Sequence, residues 1–508
     1  MIRGQTPYSP SPLPQRPNID TRTAVTPVPR PLRGFDWSRQ WYPLAPASYL
    51  SKQKPSSHQV LGRQLAVWHD PKSSRWLAFE DACPHRLAPL SQGWVDRTSG
   101  TLTCAYHGWA FDNTGACVKI PQLADDDTAA GGGGSSSRTM NTLRQSKRAC
   151  VTSYPVREEA GLLWVFLGQK NDSNASSPAG IEVAKRGLLG DWYMRELPIS
   201  WEFLMENLLD PSHVNFAHHG VIGNRNAGTA KLVSKPTDSG GLLFEVYNQS
   251  GGWESSSPMS SSFLPPSLAW LKFPLPGGAS ASMLFYAVPV APMKCRIIAG
   301  YASDAIPFSL RSLLSQPLFH PFQWLMDFGS HQVLDGDTLI LRGQEERYLA
   351  KGLPWKQSYY MPAPIDIGVL AFRRWLDENG KPLGEASSVT QFDGHCINEL
   401  QGRDILDRYE QHTRYCPYCR RAHASVKLAR QALTTVAAFN AAAVLQPQPG
   451  DSTPLTRRRR GLESVVAPVP SWATSLGIAV GCGVAAASLW ALEQQFVYTG
   501  YDHSDRNK

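Results

Sequence analysis

The sequence predicts an α+β chain: an N-terminal antiparallel β domain, a second domain of mixed α+β type, and an apolar tail suited to a membrane. Three observations carry that prediction. From Phe35 to about Gly168, short aromatic and apolar runs such as "QLAVWH" and "RWLAFEDACPH" alternate with turn residues, the pattern of short strands. Beyond about residue 190, segments of helical spacing (Trp201 to His219, Leu310 to Leu349, Asp393 to Tyr415) flank a series of apolar runs from Leu242 to Val290 that reads as a second antiparallel sheet. Pro468 to Leu492 is a stretch of 25 uncharged residues, enough to cross a hydrocarbon core of about 30 Å.

Taken in order, residues 1–34 are rich in Pro, Ser, Thr and Arg with Asp20 as the sole acid. That bias suits an organelle transit peptide or a disordered tail. The β domain spans 35–170 and carries a Gly/Ser/Asp-rich insertion at 123–147 that cannot build a core and is expected to be flexible. The α+β domain spans 190–412. A linker at 413–430 holds "CPYC", and 431–508 forms the tail. In that tail 468–492 is expected to span, with a buried core helix as the alternative, and Gln431 to Gln446 is uncharged but short.

With 508 residues the chain can bury sizeable cores without disulfides, and its nine cysteines are an odd number with no secreted framework. A formal charge of +8 from 50 basic and 42 acidic residues is small, and its densest part is the run Arg457 to Arg460. No groove of interleaved basic and aromatic residues points to nucleic acid. No GxGxxG opens a βαβ unit, so no nicotinamide or flavin domain is expected.

Two constellations carry chemistry. "CPHRLAPLSQGWVDRTSGTLTCAYHGW" presents Cys83 with His85 and Cys104 with His107. Two thiolates and two imidazoles in mixed pairs suit a Rieske [2Fe-2S] centre, with the cysteines on one iron and the histidines on the other. A structural zinc site takes the same ligand types, but finger spacing pairs Cys with Cys and His with His. Cys117 and Cys150 have no such partners and read as ordinary thiols. "WEFLMENLLDPSHVNFAHHG" holds Asp210, His213 and His218, with His219 adjacent. Histidines beside a carboxylate invite the facial triad of a mononuclear non-haem iron, which leaves positions open for oxygen.

Together the motifs resemble Rieske-type non-haem iron oxygenases, whose Asn-x-x-Asp-x-x-His-x(4)-His signature is matched by Asn207, Asp210, His213 and His218. The resemblance implies that His213 and His218 bind iron and that Asp210 bridges to a Rieske histidine of a neighbouring subunit in a homotrimer. It implies a third ligand in "VLDGDTLILRGQEE", Asp337 rather than Asp335. It makes the first domain a Rieske domain and the second a helix-grip-like catalytic domain. "FDWSRQWYPL", "YHGWAFDNTGACVKIPQ", "AFRRWL" and the late CPYC narrow it to the chloroplast branch that includes pheophorbide a oxygenase, the translocon-associated Rieske protein and protochlorophyllide-related oxygenases. The implied activity is ferredoxin-dependent insertion of oxygen from O2 into an apolar, chlorophyll-derived tetrapyrrole at a chloroplast membrane. The rival is an import-associated or redox-sensing electron carrier. Ser260 to Pro292 reads either as apolar walls for such a substrate or as sheet core.

"RYCPYCRRAH", Arg414 to His423, fits neither motif. A haem anchor is excluded because Arg420 follows Cys419, and no βαβ context follows for a glutaredoxin. Zinc would need two more ligands, for which His412 and His423 are at hand. Basic neighbours Arg414, Arg420 and Arg421 favour thiolates, and the chloroplast resemblance makes Cys416 and Cys419 candidates for a thioredoxin-addressable switch.

Overall fold

The structure, a computed structural model, describes residues 35–123, 146–168, 172, 177–228, 230–248, 258–306, 323–383, 402–446 and 471–503. The N-terminal segment, almost all of the insertion at 123–147 and the run Arg457 to Arg460 lie outside them. In the first domain the strands form three antiparallel sheets. One places Leu162–Phe166 between Trp41–Pro46 and Val156–Glu159. A second orders Ser56–Val60, Arg63–Asp70, Arg75–Glu80 and Ser153–Tyr154, and a third orders Trp94–Asp96, Thr101–Thr103, Ala110–Phe111 and Cys117–Lys119.

Trp41–Pro46 is buried at every position. A strand apolar on both faces must be covered on both. Here the second cover is the other domain: Trp41, Tyr42, Leu44 and Trp164 share one core with Trp192, Leu268, Leu284 and Tyr286. The Arg296 guanidinium, on the far side of the junction, donates to the Leu44 carbonyl at 3.0 Å.

The second domain is a seven-stranded antiparallel sheet in the spatial order Leu188–Leu197, Lys294–Ser303, Ser280–Ala291, Leu268–Pro274, Met259–Leu264, Leu242–Asn248 and Ala230–Lys235. After the first strand the chain forms two short helices, α1 (Trp201–Leu208) and α2 (Ser212–Ala217), then re-enters at the opposite edge. The long helix α3 (Gln323–Lys351) and α4 (Ile367–Asn379) follow. Trp201 and Leu204 of α1, Leu334 and Leu341 of α3, and Phe372 and Trp375 of α4 bury against Phe244, Phe263 and Ile297. Helices gathered on one face of an antiparallel sheet are what the helix-grip-like expectation describes.

Four local expectations change. The helix expected over Trp201 to His219 is two helices, because Pro211 has no N–H to donate and interrupts the ladder after Leu209. Helical structure between Asp393 and Tyr415 is confined, among the described residues, to Gly402–Ile405 and a π-turn at Tyr409–Thr413. Ser260 to Pro292 serves mainly as sheet core, with Phe263, Leu268, Leu284 and Val288 fully buried. The 413–430 linker is instead the start of a continuous helix, α5 (Pro417–Leu445), with Cys416 at its N-cap and Pro417, which needs no amide partner, in its first turn. Helix α5 also absorbs most of the short apolar stretch from Gln431.

The last helix, α6 (Ser471–Val497), packs along α5 as a hairpin. The Arg430 guanidinium meets the Glu493 carboxylate at 2.6 Å, and Phe496 is buried against Cys416 and Cys419. Both helices are long and apolar enough to cross a membrane. Phe439, Leu445, Leu476, Val480 and Val484 are exposed toward the hairpin's far end.

Candidate metal centres

Cys83 and Cys104 open two turns of the same design. The Leu87 amide donates to the Cys83 carbonyl at 2.8 Å and the Gly108 amide to the Cys104 carbonyl at 3.0 Å. Leu87 and Gly108 both take positive φ, 59° and 73°. At Gly108 a Cβ would also sit 3.0 Å from Pro121 Cγ, so glycine suits both the backbone and the space. The turns place both sulfurs in a buried apolar cluster with Trp68, Phe79 and Leu102 and turn both imidazoles outward, their centroids 4.5 Å apart. His85 stacks on Trp109 at 4.9 Å, and the His107 carbonyl accepts from the Gln122 amide at 2.8 Å. Burial pushes the Cys83 thiol up to about 12. Such a sulfur becomes a thiolate when a cation takes the place of its proton. Two buried sulfurs behind two outward imidazoles are a donor set that fits a Rieske cluster.

The second set converges from α2 and α3. His213 and His218 flank the C-terminal turn of α2, and Asp337 reaches them from α3. One donor atom of each lies within 4.8 Å of the others. His218 Nε2 is 3.1 Å from Asp337 Oδ1 and His213 Nε2 is 3.8 Å from it. Nδ1–H of His213 donates to the Asp210 carbonyl, which leaves its Nε2 lone pair facing the carboxylate. The Asn207 amide donates to Asp337 Oδ1 at 3.3 Å. Two imidazole nitrogens and one carboxylate on a single side fit a mononuclear iron with open positions opposite. The Asp210 carboxylate caps α2, accepting from the Ser212 amide at 2.8 Å, and is half-buried at the surface. His219 turns away: its Nδ1 accepts from the Arg225 amide at 3.3 Å.

Asp335, the weaker sequence choice for third ligand, is fully buried on the opposite side of α3. It is clamped by Arg195 at 2.7 Å and by Arg408 at 2.6 Å. Sequence reasoning overlooked Arg373, which appeared only within "AFRRWL". It is buried in α4 and pairs with Glu206 and, at 3.3 Å, with Glu202. That clamp fixes α1, which carries Asn207. The signal was present in two acids one turn apart on an otherwise apolar helix, a spacing that asks for a buried cation.

Cys416 and Cys419 do not face Arg414, Arg420 or Arg421. Arg414 pairs with Glu410, and the Arg420 guanidinium donates to the Arg414 carbonyl at 3.2 Å. The sulfurs point inward to His412 and Asp327.

Family models match three stretches of the chain: a Rieske [2Fe-2S] domain over residues 40–148, the C-terminal domain of vanillate O-demethylase oxygenase over 198–250, and pheophorbide a oxygenase over 263–355. The chain is 31% identical over 497 residues to the chloroplastic pheophorbide a oxygenase of Arabidopsis thaliana, covering 93% of this chain and 84% of that protein. It is 31% identical to flavonoid 8-hydroxylase 2 of Ocimum basilicum, over 85% of this chain and 86% of that one. To the protochlorophyllide-dependent translocon component 52 of Arabidopsis thaliana it is 27% identical, over 77% and 74% respectively. The chain therefore belongs to the pheophorbide a oxygenase-like branch of the Rieske non-haem iron oxygenases, oxidoreductases that pair a [2Fe-2S] cluster with a mononuclear iron and draw electrons from an external donor such as ferredoxin.

Proposed function

We propose that this protein inserts oxygen into a chlorophyll-derived tetrapyrrole, pheophorbide a or a chlorophyllide, at a chloroplast membrane. In this reading Cys83, His85, Cys104 and His107 hold the cluster, and His213, His218 and Asp337 hold the iron. The observation that carries it is the likeness to a pheophorbide a oxygenase over 93% of the chain, a span that must include both centres. Hydroxylation of a C–H bond consumes O2, two electrons and two protons, with one oxygen entering the substrate and the other leaving as water. When bound, the two metal groups supply O2 activation and one-electron storage.

The chain's own residues fix the geometry around that chemistry. The Asp210 carbonyl orients His213, Asn207 orients Asp337, and the Arg373 clamp holds α1 in register. His85 is exposed, which suits transfer to the Asp210 surface of a neighbouring subunit in a trimer. Phe216 and Ile222, 59% and 62% exposed, flank His218 with apolar surface that suits a macrocycle. The hairpin of α5 and α6 would seat the enzyme on the membrane where such a substrate partitions, with α6 as the spanning helix.

A flavonoid is the second reading, favoured by the equal identity to the basil hydroxylase. A pure electron carrier is disfavoured, since it has no use for His213, His218 and Asp337 gathered on one side. The test is oxygen uptake by the full chain with reduced ferredoxin and a panel of pheophorbide a, chlorophyllide, protochlorophyllide and a flavone, with 18O2 to trace the inserted atom. The expected result is labelled tetrapyrrole, lost in His213→Ala. Labelled flavone alone would overturn the substrate, and about two irons per chain rather than about three would overturn the oxygenase.

A further inference from the structure

We propose that Cys416, Cys419, His412 and Asp327 form a third metal site, a closed tetrahedral site for a zinc ion that fastens the α5–α6 hairpin to the catalytic body. The four residues come from three places: Asp327 from the first turns of α3, His412 from the π-turn, and the two cysteines from the start of α5. One donor atom from each lies within 4.8 Å of all the others. Asp327 Oδ2 is 3.5 Å from Cys416 Sγ, 3.3 Å from Cys419 Sγ and 3.4 Å from His412 Nε2, and His412 Nε2 is 3.3 Å from Cys419 Sγ. A tetrahedron whose arms are about 2.0–2.3 Å long has edges of about 3.3–3.8 Å. The four measured edges fall in that range.

The surroundings are arranged for a cation. Nδ1–H of His412 donates to the Met194 carbonyl at 2.6 Å, so Nε2 presents its lone pair to the centre, as the histidine of a metal site does when a backbone carbonyl holds its other nitrogen. The Cys419 amide donates to Cys416 Sγ at 3.5 Å, a contact that favours thiolate over thiol. The Gln323 amide holds the other Asp327 oxygen at 3.3 Å. Cys416, Cys419 and His412 are completely buried and Asp327 is 1% exposed. Two sulfurs and a carboxylate packed away from water repel one another when ionised, and a divalent cation removes that conflict. All four positions are filled by protein, as in structural rather than catalytic zinc sites. His423, the other histidine available to a sequence-based zinc reading, faces Glu493 at 3.7 Å instead.

The position explains what such a site would do. Phe496, near the end of α6, packs on both cysteines together with Trp324 and Phe328 of α3. The Thr413 hydroxyl donates to the Phe496 carbonyl at 2.7 Å. A single ion would thus tie both helices of the hairpin to α3, whose next turns carry Asp337.

The test is elemental analysis of the full chain purified in detergent, with zinc K-edge absorption on the same sample. The expected result is about one zinc per chain beside the iron, with two sulfur ligands at about 2.3 Å and two nitrogen or oxygen ligands at about 2.0 Å. Cys419→Ser and Asp327→Ala should lower zinc at least about tenfold while the [2Fe-2S] spectrum stays, and Asp327→His should restore it. The proposal is overturned by iron-replete native protein without zinc, by zinc that survives both Cys419→Ser and Asp327→Ala, or by a Cys416–Cys419 disulfide in the protein as isolated. The native sample decides the matter even where a variant does not fold, and neither outcome bears on the oxygenase reading.

Discussion

Asp335 and Asp337 stand two residues apart, and replacing each by asparagine should give opposite phenotypes. At 3.6 residues per turn their side chains leave α3 about 200° apart, so they enter unrelated environments. Asp335 is the counter-ion of two guanidiniums that are themselves buried: Arg195 at 2.7 Å and Arg408 at 2.6 Å, with Arg408 Nε adding a third contact at 2.9 Å. Asp335→Asn keeps the shape but removes the charge, leaving two buried cations uncompensated. Breaking a buried pair in this way costs about 3–5 kcal/mol. For a domain of this size that lowers the melting temperature by roughly 6–20 °C. Asp337 has no guanidinium among its described contacts. It accepts from Asn207 and faces the two imidazoles, so Asp337→Asn should move the melting temperature little and lower iron from about three to about two per chain, with the reduced cluster's EPR signal intact. Thermal melts and iron content are to be measured on the same preparations. If Asp335→Asn lost the third iron without a drop in melting temperature, or Asp337→Asn kept all three, the division of labour along α3 would be wrong.

Burial pushes the Glu345 carboxyl up to about 7, against hydrogen bonds from Ser200 that act in the other direction. A carboxyl whose pKa rises on folding binds its proton more tightly in the native state, so stability falls as pH climbs from the unfolded value through about 7. The loss approaches about 3 kcal/mol by about pH 8. Glu345→Gln should flatten that part of a melting-temperature profile between about pH 5 and about pH 8, and an unchanged slope would assign the titration elsewhere. Gly336→Ala would place a Cβ 2.8 Å from the Tyr501 hydroxyl, which donates to the Ala217 carbonyl beside His218. We expect a loss of about 1–3 kcal/mol, largely recovered in the Gly336→Ala/Tyr501→Ala double variant; strictly additive effects would show that the two do not meet. If α6 spans the membrane as proposed, like charges on its outer face, Val480→Lys with Val484→Lys, should shift the protein from the carbonate-resistant membrane pellet to the supernatant, since each costs about 2.5–3.5 kcal/mol at mid-bilayer. An unmoved pellet would mean that this face is covered by protein.

The parts of this molecule legible in its sequence are those in which neighbours along the chain are neighbours in space. Each Cys–His pair of the cluster loops sits in one tight turn, and Asp210, His213 and His218 lie on or immediately beside the short helix α2, so close spacing carries their proximity. Asp337 is 119 positions from His218 in sequence, and it was reachable through a family pattern rather than through periodicity. Helix periodicity does separate it from Asp335 once α3 is known to be a helix, because the two leave the axis about 200° apart, with Asp335 continuing the every-fourth-position line of Asp327 and His331. Asp327 was out of reach for the same reason: it meets Cys416 across 89 residues, and a carboxylate near the start of a long helix gives no local sign of the partner it will find. The chain therefore uses one helix as a spine with two chemically different faces. One carries Asp327, His331 and Asp335 toward the hairpin and the buried arginines; the other carries Asp337 toward α2. Tyr501 and His503, just beyond the hairpin, return to Gly336 between those faces. A displacement of the hairpin would thus reach Asp337 through at most two packed contacts, so the position of the hairpin and the placement of the Asp337 carboxylate are mechanically coupled in this fold.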